Sequence, residues 1–167
     1  MRIIVTIAVI LCTLIVSARA QGTFTANLDG LQVVTPNASP AFGIGDFALQ
    51  SGTNLVVTAG SYQDLLGGST LITINDAAVG ANGPKIGLLT VDAPGSTAGT
   101  FSGTIGLTAS QLADLNAGDF YVILRSTVFP AGEIRGQLFV DPVPEPASLA
   151  LTGFGALGLI ALRRRSK

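Results

Sequence analysis

Apolar and polar residues alternate in short runs through the middle of the chain, between about residues 21 and 140. The first run places Phe24, Ala26 and Leu28 on one face and ends at Asp29. Alternation with a period of two predicts β-strands that each bury one face, and the glycine, proline and asparagine residues between the runs predict turns. The strands predicted after the first one span residues 45–50, 54–61, 69–75, 85–91, 100–107, 120–126 and 133–140.

Three parts of this pattern also predict how the strands pair or which of their faces are buried. The turn sequence Ser-Gly-Thr at 51–53 predicts that the strands on either side of it form a hairpin. The run at 69–75 is apolar on both faces, which is typical of a strand with little water on either side. In the strand predicted at 100–107, Phe101, Ile105 and Leu107 share one face and are expected in the core.

One helix is predicted between the strands. Thr108 and Gln111 have the spacing of a capping box, in which the hydroxyl and the amide satisfy the first free backbone N–H groups. Leu112 and Leu115 form its apolar side, and Gly118 is a typical residue beyond a helix C-terminus. The residues alone therefore indicate a mainly β, antiparallel domain with one short helix, built as a sandwich or as a barrel.

The N-terminal end of the chain differs from this middle part. Arg2 precedes an apolar run at 3–16, and Ala18 and Ala20 supply the small residues of a secretory cleavage site. We therefore expect a signal peptide at 1–20, with a retained N-terminal membrane anchor as the alternative.

The C-terminal end combines three parts in order. Pro144-Glu145-Pro146 does not continue a helix or a strand, an apolar run at 149–162 follows, and Arg163-Arg164-Arg165 comes near the end. The run would make a helix of about 21 Å, which is short against a hydrocarbon core of about 30 Å, and the arginines would stay on the cytoplasmic side. This order of parts resembles the PEP-CTERM sorting signal of Gram-negative bacteria, which implies processing by an exosortase. An ordinary tail anchor is the alternative.

Composition excludes several classes of function. The chain has no histidine, and its one cysteine, Cys12, lies in the expected signal peptide, so Ser-His-Asp and Cys-His nucleophiles and most zinc or copper sites are excluded. Between residues 21 and 146, ten acidic side chains stand against three basic ones, a net charge near −7, which argues against nucleic acid as a partner. The carboxylates are scattered and lack the spacing of a Ca²⁺ loop, so we expect no catalytic residue, no metal and no cofactor. A hydrolase that uses two carboxylates is the weakest hypothesis.

The last predicted strand carries the densest polar pattern of the chain. Alternation places Glu133, Arg135 and Gln137 on one face of that strand. Arg125, at the end of the preceding strand, is expected within reach of Glu133. One interpretation is a polar binding surface made by Arg125, Glu133 and Arg135. The other, which we favour, is a cross-strand ion pair that fixes the register of the hairpin and contributes up to about 1 kcal/mol. The match to a glycosylation sequon at 37–39 is interpreted as a plain loop.

Three stretches resemble the CHRD domain, a family first described in chordin. They are the Phe-Pro-Ala-Gly-Glu-Ile-Arg-Gly-Gln-Leu block at 129–138, the stretch at 107–118 and the pair Tyr121-Val122. The loop at 80–84 is also similar to the central loop of that family, and the resemblance extends over about residues 23–140. It implies an immunoglobulin-like or superoxide-dismutase-like Greek-key sandwich with a non-enzymatic extracellular role.

The chain departs from the family pattern at three positions. Members of the family carry a His-Ile-His sequence before the central loop and another histidine near the end of the penultimate strand. Alignment on the central loop and on Tyr121 places these histidines at Ile72, Ile74 and Arg125 of this chain. We therefore expect that the purified domain binds neither Zn²⁺ nor Cu²⁺ tightly, and that Ile72 and Ile74 extend an apolar patch.

These observations predict a signal peptide at 1–20, a CHRD-like β domain at 21–141 and a sorting tail at 142–167. The tail is expected to hold a short transmembrane helix, so that an apolar helix flanks the domain at each end. The predicted function is that of a non-catalytic exported protein, held transiently in the inner membrane, processed by an exosortase and delivered to the cell surface or the extracellular matrix. Exopolysaccharide or surface proteins are the expected partners there. The alternative is a module that recognises a ligand or a protein through loops such as those at 76–84 and 127–132.

Overall fold

The computed structural model describes residues 22–141, which form ten β-strands and one α-helix. The strands before the helix are β1 (Thr23–Asp29), β2 (Phe42–Gln50), β3 (Asn54–Gln63), β4 (Ser69–Asp76), β5 (Lys85–Val91), β6 (Gly99–Ser102) and β7 (Thr104–Gly106). The helix and the strands after it are α1 (Ala109–Ala117), β8 (Phe120–Ser126), β9 (Ile134–Gln137) and β10 (Phe139–Val140).

The strands form one antiparallel sheet that closes on itself as an eight-strand barrel. Neighbours around the barrel follow the order β1-β2-β3-β6-β5-β4-β8-β9, and β9 then pairs with β1 where Arg135 lies opposite Asp29. Two short strands extend the pairing without adding a position around the barrel. β7 follows β6 and pairs with β3, and β10 follows β9 and pairs with β1. Closure leaves the barrel without the free strand edges of an open sheet.

The closed barrel shows that the Greek-key sandwich implied by the family resemblance is wrong. A sandwich needs two separate sheets, whereas β1 pairs with β2 on one side and with β9 and β10 on the other. Gly136 permits the approach of β9 to β1, because a Cβ atom at this position would lie 2.6 Å from the carbonyl oxygen of Asn27. Strand alternation could not distinguish the two architectures, since both bury one face of each strand.

The inner face of the barrel is an apolar core. Phe24, Ala26 and Leu28 are buried there, as their alternation predicted. The predicted hairpin between β2 and β3 is also confirmed, and its turn uses positive φ angles at Ser51 and Gly52. The other strands contribute the remaining core side chains, which include Phe47, Leu55, Tyr62, Ile72, Ile74, Leu89, Phe101, Ile105, Leu107, Phe120, Val122, Leu124, Ile134 and Leu138.

The helix α1 begins and ends with the predicted caps. Thr108 Oγ1 accepts a hydrogen bond from the Gln111 backbone N–H (3.3 Å), and Gln111 Oε1 accepts one from the Thr108 backbone N–H (2.9 Å). Gly118 ends the helix in the left-handed conformation, at φ 84°. Leu115 is fully buried and fixes the helix to the barrel.

Several predicted segments lie outside the described residues. They are the signal peptide at 1–20, the transmembrane helix at 149–162 and, with them, the two apolar helices expected to flank the domain. Within residues 22–141, no helix has both the length and the apolar character that a membrane crossing requires.

Candidate functional site

A second buried layer lies outside the barrel, on the outer face of β4, β8 and β9. Its polar members, which we call the outer polar layer, are Thr73, Asn75, Tyr121, Arg135 and Gln137. Each of these side chains is at most 5 % exposed, although none faces the core. Two loops lie over them: the covering loop between β1 and β2 (residues 30–41) and the central loop between β4 and β5 (residues 77–84). The layer is therefore buried by loops and not by a second sheet.

Asn75 and Tyr121 hold the central loop against the barrel. Asn75 Nδ2 donates to the Gly83 carbonyl oxygen (3.0 Å), and the Gly83 N–H donates to Tyr121 Oη (3.2 Å). Thr73 Oγ1 donates to Asn75 Oδ1 (2.7 Å) and so orients the amide. Gly83 is required at this place, because a Cβ atom there would overlap the carbonyl oxygen of Asp76.

Arg135 is the charged centre of the outer polar layer. Its guanidinium carbon lies 3.7 Å from the centroid of the Tyr121 ring, in a cation–π contact. Nη1 donates to the Ala81 carbonyl oxygen (2.8 Å), and Nη2 donates to the Ala78 carbonyl oxygen (3.4 Å) and to Gln137 Oε1 (3.1 Å). Burial lowers the pKa of Arg135, and the Coulombic effect of Tyr121 opposes that shift. The guanidinium thus sits in a low-dielectric place where all three of its hydrogen-bond acceptors are neutral.

Gln137 joins the central loop to the end of α1. Its Nε2 donates to the carbonyl oxygens of Ala77 (2.9 Å) and Gly118 (2.7 Å). Its backbone N–H donates to Gln32 Oε1 in the covering loop (3.4 Å). The side chain of Gln137 therefore holds the central loop and the end of α1, and its backbone N–H holds the covering loop.

Glu133 joins the covering loop to the segment between β3 and β4. Its Oε1 accepts from Ser39 Oγ (2.6 Å) and from the Leu66 backbone N–H (2.6 Å), while Oε2 is buried without a partner among residues 22–141. Asn37 Nδ2 donates to the Glu133 carbonyl oxygen (3.0 Å), and Asn37 Oδ1 accepts from the Ser39 backbone N–H (3.0 Å). Residues 37–39, which we interpreted as a plain loop, thus carry the contacts that hold the covering loop.

The structure does not bring Arg125, Glu133 and Arg135 together as one surface. Glu133 and Arg135 are 0 % and 1 % exposed, and their side chains serve different loops. The ion pair favoured from the sequence is not formed, because Arg125 Nη1 donates to Thr73 Oγ1 (3.1 Å) while Glu133 is bonded to Ser39 and Leu66. The sorting residues Pro144-Glu145-Pro146 and Arg163-Arg164-Arg165 lie outside the described residues.

The positions that we aligned with the family histidines lie on β4 and β8. Ile72 and Ile74 point into the barrel core, as expected of an apolar patch. Their neighbours Thr73 and Asn75 face the outer polar layer instead, and Thr73 contacts Arg125 there. Side chains one residue apart on a strand point to opposite faces. The signal for these two residues was visible in the sequence as polar side chains at alternate positions of an apolar strand.

A cleft of about 360 Å³ opens between the covering loop and the central loop. Arg135 and Gln137 form its floor. The apolar residues along its walls are Leu31, Val33, Val34, Pro36 and Val79. Leu31 and Val79 are 75 % and 69 % exposed, so the apolar surface of the cleft is open to solvent at its rim.

Three aspartates interact where β4 ends. Burial raises the pKa of Asp76, and the negative charges of Asp114 and Asp119, with a side-chain hydrogen bond to Asp114, raise it further. Within the described part of the chain, no group of three or more histidine, cysteine, aspartate or glutamate residues is placed to hold a metal ion. That the purified domain binds neither Zn²⁺ nor Cu²⁺ tightly stays a prediction.

Comparison with known families identifies two segments of the chain. The CHRD domain model matches residues 24–138, which is more than half of the chain, and the PEP-CTERM protein-sorting motif matches residues 142–165. Both resemblances seen in the sequence are confirmed in this way. No curated protein matches the chain. The sorting motif indicates a protein that is exported and targeted by a membrane-associated exosortase. The chain therefore belongs to the CHRD domain family and carries a PEP-CTERM sorting motif.

Proposed function

We propose that this chain is a non-catalytic exported protein whose barrel acts at the cell surface or in the extracellular matrix after an exosortase has processed its tail. The observation that carries this proposal is the matched sorting motif, which begins directly after Asp141, the last described residue. In this proposal residues 1–20 are a signal peptide, 21–141 are the exported domain and 142–167 are the sorting tail.

Each part of the tail has its own role in the proposal. Pro144-Glu145-Pro146 is the site that the exosortase recognises, and the short transmembrane helix at 149–162 holds the chain transiently in the inner membrane. Arg163-Arg164-Arg165 keeps the end of that helix on the cytoplasmic side. The seven residues between Asp141 and this helix span at most about 25 Å, so the recognition site would lie close to the folded barrel.

The state of the buried polar groups supports a non-catalytic role. In the outer polar layer, Asn75, Arg135 and Gln137 direct their hydrogen bonds to backbone carbonyl groups of the loops above them. The chain also has no histidine, and its one cysteine, Cys12, precedes residues 22–141 in the sequence. Polar groups with these hydrogen bonds position loops. Without histidine, the nucleophile and base pairs that depend on it cannot form in this chain.

Mass spectrometry of the secreted and membrane-bound forms tests the sorting proposal. We expect a secreted form that starts near Gln21 and lacks Arg163-Arg164-Arg165. Replacing Pro144-Glu145-Pro146 by three alanines is expected to leave the protein in the membrane fraction. Pro142→Ala, which removes a proline outside the Pro144-Glu145-Pro146 tripeptide, is expected to be processed normally. A mature extracellular protein that retains residues 163–167 would refute the proposal.

The cleft favours a second candidate role, the recognition of a ligand or a protein. The central loop was one of the two loops expected to carry recognition, and it lines the cleft together with the covering loop. In this role the protein would bind exopolysaccharide or surface proteins. Capture from native exopolysaccharide, compared with capture from an outer-membrane fraction, separates these partners. Equal recovery of Leu31→Glu and the wild type with either material would exclude the cleft as the contact.

A further inference from the structure

The cleft between the covering loop and the central loop has two chemically different parts. Five apolar side chains form its walls, and two of them, Leu31 and Val79, stay largely exposed at the rim. Its floor contains a buried cation, Arg135, beside the amide of Gln137. An apolar wall above a buried positive charge is complementary to a ligand with one anionic end and one apolar end.

The charge of Arg135 has no anionic partner in the described part of the chain. A guanidinium has five N–H donors, and three of them bond to neutral acceptors, which leaves two without a protein acceptor among residues 22–141. Asp29 lies opposite Arg135 in the strand register, but its two carboxylate oxygens accept from the backbone and side-chain N–H groups of Gln32. A buried cation is unfavourable unless it is paired, so a bound anion would gain an interaction that the protein itself does not supply.

We propose that this cleft binds a small monocarboxylate with an apolar chain, whose carboxylate meets Arg135 while the chain packs against Leu31 and Val79. A carboxylate matches the planar fork of a guanidinium, and one negative charge balances the single cation. A polyanion is disfavoured, because residues 21–146 have a net charge near −7. The volume of about 360 Å³ lies at the small end of the range for ligand pockets, roughly 300–1,000 Å³.

Calorimetric titration with hexanoate tests the proposal on the full chain in lipid nanodiscs, with empty nanodiscs as the blank. We expect hexanoate to bind at least tenfold more tightly than 1-hexanol, which has the same chain without the charge. Leu31→Glu is expected to weaken hexanoate binding at least tenfold, because it places a negative charge at the rim of the cleft. Leu88→Glu is the matched control: Leu88 is 54 % exposed and does not line the cleft, so its affinity for hexanoate is expected to equal that of the wild type.

Arg135→Gln tests the floor of the cleft and is expected to remove the preference of hexanoate over hexanol. Since Arg135 also holds the central loop, a thermal melt accompanies this variant, and the comparison of Leu31→Glu with Leu88→Glu decides the matter if Arg135→Gln does not fold. Equal binding of hexanoate and hexanol, or equal loss in the two glutamate variants, would overturn the proposal. The inference rests on the recognition role above but not on sorting. A failed titration therefore leaves the predicted processing unchanged, and failed processing leaves the titration unaffected.

Discussion

The two faces of β4, β8 and β9 are both buried, but by different means. On the inner face Ile72, Ile74 and Leu124 pack into the apolar core of the barrel. On the outer face Asn75 and Arg135 are also buried, but there loops cover them and accept hydrogen bonds from both side chains. Apolar contacts are non-directional and tolerate small changes of partner, whereas a buried polar group needs a specific donor or acceptor. The inner face therefore determines whether the barrel folds, and the outer face determines where its loops lie.

The largest expected effect comes from a cavity on the inner face. Ile74→Ala removes a side chain that is 1 % exposed, and we expect the free energy of unfolding to fall by about 2–5 kcal/mol. Leu71→Ala on the outer face of the same strand is the control, because Leu71 is 38 % exposed and its loss should be much smaller. Urea denaturation measures both. Equal losses for the two variants would mean that the inner face does not dominate stability.

The next effect concerns Glu133, whose carboxylate joins the covering loop to the segment before β4. Glu133→Ala leaves the Ser39 hydroxyl and the Leu66 N–H without their acceptor, and we expect a loss of about 2–3 kcal/mol, since hydrogen bonds to charged groups are the stronger ones. Glu133→Gln keeps an oxygen in place of Oε1 and should lose less.

Chemical denaturation ranks the two variants, and amide hydrogen exchange at Leu66 locates the effect. Faster exchange at Leu66 in Glu133→Ala than in Glu133→Gln is the expected pattern. The same stability for alanine and glutamine would show that the Oε1 contacts contribute nothing beyond packing.

The inner face could be predicted from the sequence because it depends on local patterns. The alternation around Phe24 and Phe101 and the capping box at Thr108 each operate within a few residues, and the structure has all of them. Barrel closure depends on the pairing of β1 with β9, where Asp29 meets Arg135 more than a hundred positions later. No local pattern encodes that pairing, so the choice between sandwich and barrel could not be made from the strands alone.

The outer face was predicted only in part, for a related reason. Alternation correctly placed Arg135 and Gln137 on the same side of one strand, and their side chains bond to each other. Their burial could not be predicted, because it is produced by loops that fold back from distant parts of the chain. Thr73 and Asn75 were missed because β4 was interpreted as apolar on both faces. Its outer face is buried because the central loop covers it, and not because its side chains are apolar.

Two buried tyrosines, Tyr121 on the outer face and Tyr62 in the core, distinguish the roles of the two faces. Tyr121→Phe keeps the ring under Arg135 but removes the acceptor for the Gly83 N–H, and we expect a loss of about 1 kcal/mol together with faster exchange of the Gly83 amide. Tyr62→Phe removes a comparable hydrogen bond, to Ser69 Oγ (2.9 Å), from a side chain of the core. It should leave the Gly83 amide unchanged. Faster exchange at Gly83 in both variants would contradict a separate role for the outer face.

The smallest expected effect is electrostatic and depends on pH. The pKa of Asp76 is raised by burial and by the charges of Asp114 and Asp119, so the folded state binds this proton more tightly than the unfolded state does. The stabilising contribution of the protonated group is therefore fully present below its ordinary pKa of 3.8, and it is lost as the pH rises through the higher value of the folded protein.

At neutral pH the charge on Asp76 is therefore unfavourable, and Asp76→Asn should stabilise the protein, by less than about 1 kcal/mol for a partly exposed group. Asp64→Asn makes the same change of net charge, and asparagine tolerates the positive φ of 60° at that position. Thermal melts of both variants at pH 7 and near pH 4 measure the difference. A gain for Asp76→Asn that shrinks toward the lower pH supports a local cause, namely burial together with repulsion by Asp114 and Asp119, whereas an equal gain for Asp64→Asn would assign it to the net charge of the domain.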